Sequence, residues 1–261
     1  MRTIAVIPAR MASSRFPGKP MEFIHGIPMI GHCFFRANMC PDVDATFVAT
    51  CDQEIFDYIK SIGGVPIMTS SEHERASDRV AEAMLSVEKR YGVTVEVLAM
   101  IQGDEPMDTP TMVSDAVIAM RNNKTIGVVN LMGLIESERE FEDPNTVKVV
   151  VDSEDYALFF SREPIPSRKK GVSQVPMYKQ ICVIPFRRSA LLEFNKLEET
   201  PLEIVESVDM LRVLESGGRV KMVRTSEPSI GVDTPDDLRK VEKIMEFDSL
   251  RLVYTSKRSV E

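Results

Sequence analysis

Short apolar runs alternate with helical patterns through the first 121 residues, and no other feature restricts the fold of this chain as much. Residues 4–7, 45–50, 65–68 and 95–101 read as strands, the last of them strongly apolar. Residues 28–38, 53–62, 77–91 and 109–121 carry helical spacing. Met29, Ile30, Cys33, Phe34 and Ala37 fall on one face of the first helix, and Ile55, Phe56, Ile59 and Ile62 on one face of the second. Pro110 sits in the first turn of the fourth, where a missing N–H leaves nothing unpaired. This βαβα succession predicts an α/β fold, a mixed and mainly parallel sheet with helices on both faces.

The middle of the chain changes character. Residues 126–132, 146–151, 157–160 and 181–184 read as strands with less helix between them. Pro164, Pro166 and Pro176, with Lys169 and Lys170, mark an irregular segment. Helix returns over 202–216, a strand follows over 220–223, and an amphipathic helix spans 234–247. With 261 residues the chain can bury a substantial core. We read residues 1–247 as one domain that includes a smaller dimerisation lobe at about 152–216, since the apolar strands there lie outside the βαβ scheme. Residues 248–261 contain Lys257-Arg258 and no clear pattern, and read as a C-terminal tail.

Composition narrows the function. A formal net charge of −8 argues against a nucleic-acid binder, which would carry a basic stripe. The four cysteines form no C-x-x-C pair, as expected of free thiols in a reducing cytoplasm. The three histidines are too scattered for a zinc site. Arg2 leads directly into a short strand rather than a signal-peptide core, and no run approaches the ~20 apolar residues that span a bilayer. The expected location is the cytoplasm, with no membrane contact.

Against the acidic background one loop stands out. The first strand, ending at Pro8, opens into Ala9-Arg10 and then Ser13-Ser14-Arg15-Phe16-Pro17-Gly18-Lys19-Pro20. Such a loop gathers cations, hydroxyls and backbone N–H groups suited to phosphates, although a solvated basic loop has the same composition. Two acidic sites lie near other strand ends. Asp104 follows the strand that ends in Gln102-Gly103, where a ligand of an open α/β sheet sits, or where a turn aspartate caps its own backbone. Asp233 precedes Thr234-Pro235-Asp236-Asp237, in which Thr234 reads as a helix N-cap with Pro235 and Asp237 at the next and third positions. Capping accounts for those residues and leaves Asp233 over. Two such carboxylates can converge on one Mg²⁺. Neither a P-loop nor a G-x-G-x-x-G fingerprint occurs, and Gly63-Gly64 reads as a helix C-cap.

The motifs Pro8-Ala-Arg-x-x-Ser-Ser-Arg-x-Pro-Gly-Lys-Pro20, Gln102-Gly-Asp-Glu-Pro106, Asn145-Thr-Val-Lys148, Tyr156-Ala-Leu-Phe-Phe-Ser-Arg162, Pro201-Leu-Glu203 and Gly231-Val-Asp-Thr-Pro235 resemble those of the CMP-Kdo synthetases, the 3-deoxy-manno-octulosonate cytidylyltransferases. They run in family order from about residue 3 to residue 245. The resemblance implies a Rossmann-like nucleotidyltransferase fold, a homodimer formed through the smaller lobe, and Mg²⁺-dependent transfer of CMP from CTP onto an acidic sugar for lipopolysaccharide. It assigns Arg10, Arg15 and Lys19 to the triphosphate, Ala9, Ser13 and Ser14 to the nucleotide loop, and Asp104 and Asp233 to the metal. Lys19, Asp104 and Asp233 would form the catalytic set. Gln102, Arg79 and Arg162 would face the sugar acid, with Glu206 and Asp209 in the helical part of its pocket.

Departures from the family pattern concern the acceptor and the base. Lys179-Gln-Ile-Cys-Val-Ile184 stands where the family has Arg-His-Ile-Gly-Ile-Tyr, so Gln180 and Ile184 replace an imidazole and a phenol near the sugar. At the cytosine-facing turn Arg75-Ala76-Ser77 replaces Ser-Gly-Thr. A pocket that hydrogen-bonds its substrate discriminates strongly when those partners change. The expected function is therefore cytidylyl transfer to Kdo or a Kdo-like acid. The alternatives are another acceptor (amino-Kdo, another ulosonic acid or a phosphonate) and a non-catalytic nucleotide-binding protein of the same fold.

Overall fold

All seven residues of the first strand, β1 (Thr3–Ala9), are buried, so this strand is covered on both faces. It runs through Pro8 rather than stopping there, pairing Pro8 with Ala49 and Ala9 with Thr50. The ladder on its other side ends at Val6, so the missing proline N–H interrupts no bond there. The structure is a computed structural model and describes residues 2–12, 16–171 and 175–256. Ser13, Ser14, Arg15, Lys257 and Arg258 lie outside the described residues.

The chain divides into two units, one of residues 1–114 and 228–261 and the other Asp115–Glu227. In the first, a hairpin of β2 (Phe23–Ile24) and β3 (Ile27–Pro28) precedes α1 (Met29–Asn38). Next come β4 (Ala45–Thr50), α2 (Gln53–Ser61), β5 (Val65–Met68), α3 (Ala76–Tyr91) and β6 (Val97–Ile101). Then α4 (Pro110–Asn122) carries the chain across the division. The strands form a parallel sheet in the order β5, β4, β1, β6, and α1 and α3 both pack on β1. This is the alternation expected from the sequence.

The unit is completed by α9 (Pro235–Met245) and α10 (Ser249–Ser256). The expected tail from 248 is thus corrected over residues 249–256, which form a helix held on α1. Tyr254 is buried, stacks on Phe35 at 5.2 Å between ring centroids, and donates its hydroxyl to His32 Nδ1 at 2.7 Å. The other ring nitrogen of His32 donates to the Ile24 carbonyl at 2.8 Å, so the imidazole is neutral. Burial lowers its pKa to about 4. Asp248 forms an ion pair with Arg36, whose other terminal nitrogen reaches the Met107 carbonyl at 3.2 Å.

The second unit contains β7 (Val128–Leu134), α5 (Glu138–Glu142), β8 (Lys148–Val151), β9 (Ala157–Ser161), β10 (Tyr178–Ile181) and β11 (Val183–Arg187). They are followed by α6 (Arg188–Phe194), α7 (Pro201–Glu206), α8 (Met210–Glu215) and β12 (Val220–Thr225). β7 pairs antiparallel with β10 and β11 and parallel with β12, while β8 joins β10 to β9. The unit is wider than the lobe expected at about 152–216. The strand expected over 181–184 straddles the break between β10 and β11 at Cys182. The helix expected over 202–216 is two helices, because Ser207 takes a left-handed conformation at φ 51°. Across that corner Arg212 grips both oxygens of Glu203 at 2.7 Å, with both side chains almost wholly buried.

Candidate active site

A basic side chain near a strand end must be aimed before it can serve a ligand. Gly18, at φ 76°, gives the left-handed turn that opens a short 3₁₀ turn over Lys19–Met21, with Pro20 following Lys19. The Gly18 N–H donates to the Met11 carbonyl at 3.0 Å and the Met11 N–H to Asp52 at 2.8 Å, which pins both ends of the phosphate-binding candidate loop. Lys19 is delivered almost buried, 8% exposed, with its ammonium 2.6 Å from Asp104 Oδ2 and 3.5 Å from Asp233 Oδ1.

Each aspartate has its own support. Gly103, just before Asp104, passes so close to β1 that a Cβ there would lie 2.8 Å from the Pro8 carbonyl oxygen. Only glycine lets the end of β6 turn at this place. Asp233 stands immediately before the capping box of α9. There Asp237 accepts from the Thr234 N–H at 2.9 Å, from the Thr234 hydroxyl at 2.8 Å and from the Asp233 N–H at 3.2 Å. The capping read from sequence is present, and it also fixes the residue that capping did not explain. The loops join where the Val232 N–H donates to the Asp104 carbonyl at 2.9 Å.

In front of Lys19 and Asp104 lies a cavity of about 310 Å³. Among its walls are Ala9, Arg10, Arg75, Arg79 and Gln102, so the structure gathers seven of the proposed site residues around one space. Ser77 is fully buried in the first turn of α3. Arg79 is 2% exposed and donates to the Thr69 hydroxyl at 2.6 Å and to the carbonyls of Ser70 and His73 at 3.2 and 3.0 Å. Its guanidinium braces the turn that carries Arg75 to the cavity.

The other four sugar-site candidates belong to the second unit. Arg162 directs all three guanidinium nitrogens at carbonyls, those of Glu206, Pro144 and Ser207, at 2.6, 2.8 and 3.2 Å. The Glu206 carboxylate accepts from the Ser161 hydroxyl at 2.8 Å and the Arg162 N–H at 2.7 Å. Gln180 donates to the buried Asn130 at 2.6 Å, and Asp209 caps the start of α8 without a side-chain cap bond. Arg162 and Glu206 are brought together, in bonds that hold the end of β9 to α7. Lys148, from the Asn-Thr-Val-Lys motif, is fully buried and donates to the carbonyls of Asp143, Thr146 and Arg162 at 2.7, 2.9 and 2.7 Å. Burial lowers its pKa.

The sequence reading passed over one buried polar cluster. Ser229 Oγ lies 2.9 Å from Asp108 Oδ1 and 3.2 Å from Glu105 Oε2, and all three residues are less than one-tenth exposed. Two acids three positions apart after a strand are the available signal, and nothing local shows that they face each other. Among the described residues no group of three or more His, Cys, Asp or Glu side chains is arranged to hold a metal. Asp104 and Asp233 are two carboxylates that share one ammonium, at 2.6 and 3.5 Å. Such oxygen donors fit Mg²⁺, which takes one or two carboxylates and completes its shell with phosphates and water. No helix among those residues is long and apolar enough to cross a membrane.

Residues 4–226 match the model of a family described as cytidylyltransferase. The chain is 42% identical to the 3-deoxy-manno-octulosonate cytidylyltransferase of Thermodesulfovibrio yellowstonii over 253 residues, covering 94% of this chain and 98% of that protein. It is 39% identical to the enzyme of the same name from Geobacter sulfurreducens over 251 residues, covering 92% and 98%. A solved structure of CMP:2-keto-3-deoxy-manno-octonic acid synthetase complexed with CTP superposes with a TM-score of 0.86 at 36% identity, over 94% of this chain and 98% of that one. A 4-diphosphocytidyl-2C-methyl-D-erythritol synthase from Anaerococcus prevotii shares the fold, with a TM-score of 0.62 at 15% identity over 94% and 99%.

Proposed function

The chain belongs to the cytidylyltransferase family and within it to the 3-deoxy-manno-octulosonate cytidylyltransferases, and we propose that it transfers CMP from CTP to the anomeric hydroxyl of Kdo or a Kdo-like acid. The observation that carries this reading is the ammonium of Lys19 held between the Asp104 and Asp233 carboxylates beside a cavity walled by further cations. A metal-assisted phosphoryl-type transfer needs this combination, since positioning and electrostatics supply most of its rate.

In the proposed reaction the acceptor oxygen forms a bond to the α-phosphorus as the bond to the β-phosphate bridge breaks, the acceptor hydroxyl gives up its proton to solvent, and pyrophosphate leaves with the negative charge. Lys19 and Arg10 neutralise charge on the phosphates and hold the chain in line. Asp104 and Asp233 would hold Mg²⁺, which when bound neutralises phosphate charge and polarises the acceptor hydroxyl. The braced turn at Arg75 would present a guanidinium to the nucleotide, and Gln102 would orient the acceptor. Arg162, Gln180, Glu206 and Asp209 carry a proposed sugar role only through the family resemblance.

The finer placement is also a proposal. Leu158, Ile204 and Val205 of the second unit are 61, 60 and 80% exposed, which supports a homodimer formed through that unit. Four free cysteines suit a reducing cytoplasm, where the enzyme would serve lipopolysaccharide synthesis. A second acceptor has one specific support, the Gln180 amide bonded to Asn130 where the family has an imidazole. Pyrophosphate release from CTP, measured with Kdo, amino-Kdo, other ulosonic acids and a phosphonate, tests the reading. Release with Kdo or a close relative is expected. Release with the phosphonate alone would move the enzyme to another acceptor class, and no release at all would leave a binding protein.

A further inference from the structure

We propose that Ser229 is a positioning residue whose hydroxyl, lodged between the buried carboxyls of Glu105 and Asp108, fixes the spacing of the Asp104 and Asp233 carboxylates. The proposal rests on the reading above for the role of those two aspartates and adds what holds them apart at the right distance. Asp104 and Asp233 lie on loops far apart in sequence, and a metal that takes both needs the loops fixed against each other to a fraction of an ångström. One tie is the Val232 N–H to the Asp104 carbonyl. Another is Ser229, four residues before Asp233, which reaches Asp108 Oδ1 at 2.9 Å and Glu105 Oε2 at 3.2 Å. Glu105 directly follows Asp104, so this tie is made next to the carboxylate it would position.

The surroundings keep the tie dry. Glu105, Asp108 and Ser229 are 9, 3 and 6% exposed. Beside them Met107 and Val232 pack in one core cluster with Ile24, Met29, Val241 and Met245, and Ile230 packs against it. A hydrogen bond lost there is not replaced by bulk water. The hydroxyl has one proton to donate and two lone pairs, which lets it lie within hydrogen-bond reach of both carboxyl oxygens. Burial, and then the neighbouring Glu105 charge, push the Asp108 carboxyl well above the ordinary carboxylate range. Arg36 closes the same turn from behind through the Met107 carbonyl.

Ser229→Ala and Asp108→Ala break the tie from opposite ends, while Ser229→Thr keeps the hydroxyl. Mn²⁺ is the probe, and its binding in the presence of CTP is read by electron paramagnetic resonance without turnover. Both alanine variants are expected to bind Mn²⁺ about tenfold more weakly, with Ser229→Thr near the wild type. The metal concentration for half-maximal pyrophosphate release should rise by the same factor while kcat at saturating metal is kept. Hydrogen exchange at the Val232 amide should quicken in Ser229→Ala. Unchanged Mn²⁺ binding in both alanine variants overturns the proposal, as does a fall in kcat at unchanged metal affinity. Failure of the functional reading looks different. The wild type then releases no pyrophosphate with any acid, while Val232 exchange still shows whether the hydroxyl holds the loops.

Discussion

Lys19 and Asp104, 85 positions apart in sequence, form an ion pair at 2.6 Å at the edge of the cavity. The lysine is also 3.5 Å from Asp233, so one ammonium spans both carboxylates. Their mutual repulsion is thereby offset by the ammonium they share.

Asp104→Asn keeps the size of the side chain and removes its charge. Turnover should fall by at least about 10²-fold, with thermal melting unchanged within about 1 °C. Near-normal pyrophosphate release from this variant would refute the metal assignment.

Lys19→Met separates the two roles of the lysine. Loss of a cation for the triphosphate should cut kcat/KM by about 10²- to 10³-fold. The same change removes the ammonium that occupies the acid pair, so Mn²⁺ binding without CTP should become tighter. Weaker metal binding in this variant would show that Lys19 props the carboxylates rather than competing for them.

Arg212→Met leaves the Glu203 carboxylate buried without its bidentate partner and should cost about 3–5 kcal/mol in urea unfolding. Adding Glu203→Leu should recover most of that loss, because the uncompensated charge is then gone. A double variant no more stable than the single one would mean that the pair shapes the α7–α8 corner in some other way.

His32 ties acid stability to the docking of α10. Its pKa is 6.5 when unfolded and about 4 in the folded protein. Between those values the unfolded chain binds more protons, so stability falls as pH is lowered through the window and is unaffected by this group above it. The full effect is about 3 kcal/mol. Urea melts from pH 7 to pH 4 should show that slope in excess over His32→Gln, and parallel curves would remove the assignment.

The legible parts of the structure were those written in local chemistry. The parallel alternation through α4, the capping box at Thr234 and the glycine after Ile62 follow from spacing and from backbone preferences that act within a few residues. The break at Cys182 and the left-handed Ser207 leave no such mark, and each divided an element read as continuous. Asp233 could be picked out because the capping of its helix did not need it, and Asp104 because it follows a strand end, although a turn aspartate capping its own backbone has the same sequence. Arg79, Arg162 and Glu206 show the opposite case. A buried cation bonded to carbonyls and a cation awaiting a substrate have the same letter in the sequence, and only the fold shows which carbonyls arrive. Ser229, Glu105 and Asp108 were illegible because their partners lie across the sequence.

The first unit is assembled from both ends of the chain, and this sets an order on synthesis. A ribosome, which emits the N-terminal end first, releases Lys19 and Asp104 long before Asp233. A product ending at Glu227 contains Lys19, Asp104 and the residues that line the cavity, yet lacks Asp233, the capping box at Thr234 and the helix whose Tyr254 stacks on Phe35. The two carboxylates thus come together only after residue 233 has been made, and a product interrupted before it carries Lys19 and Asp104 without Asp233.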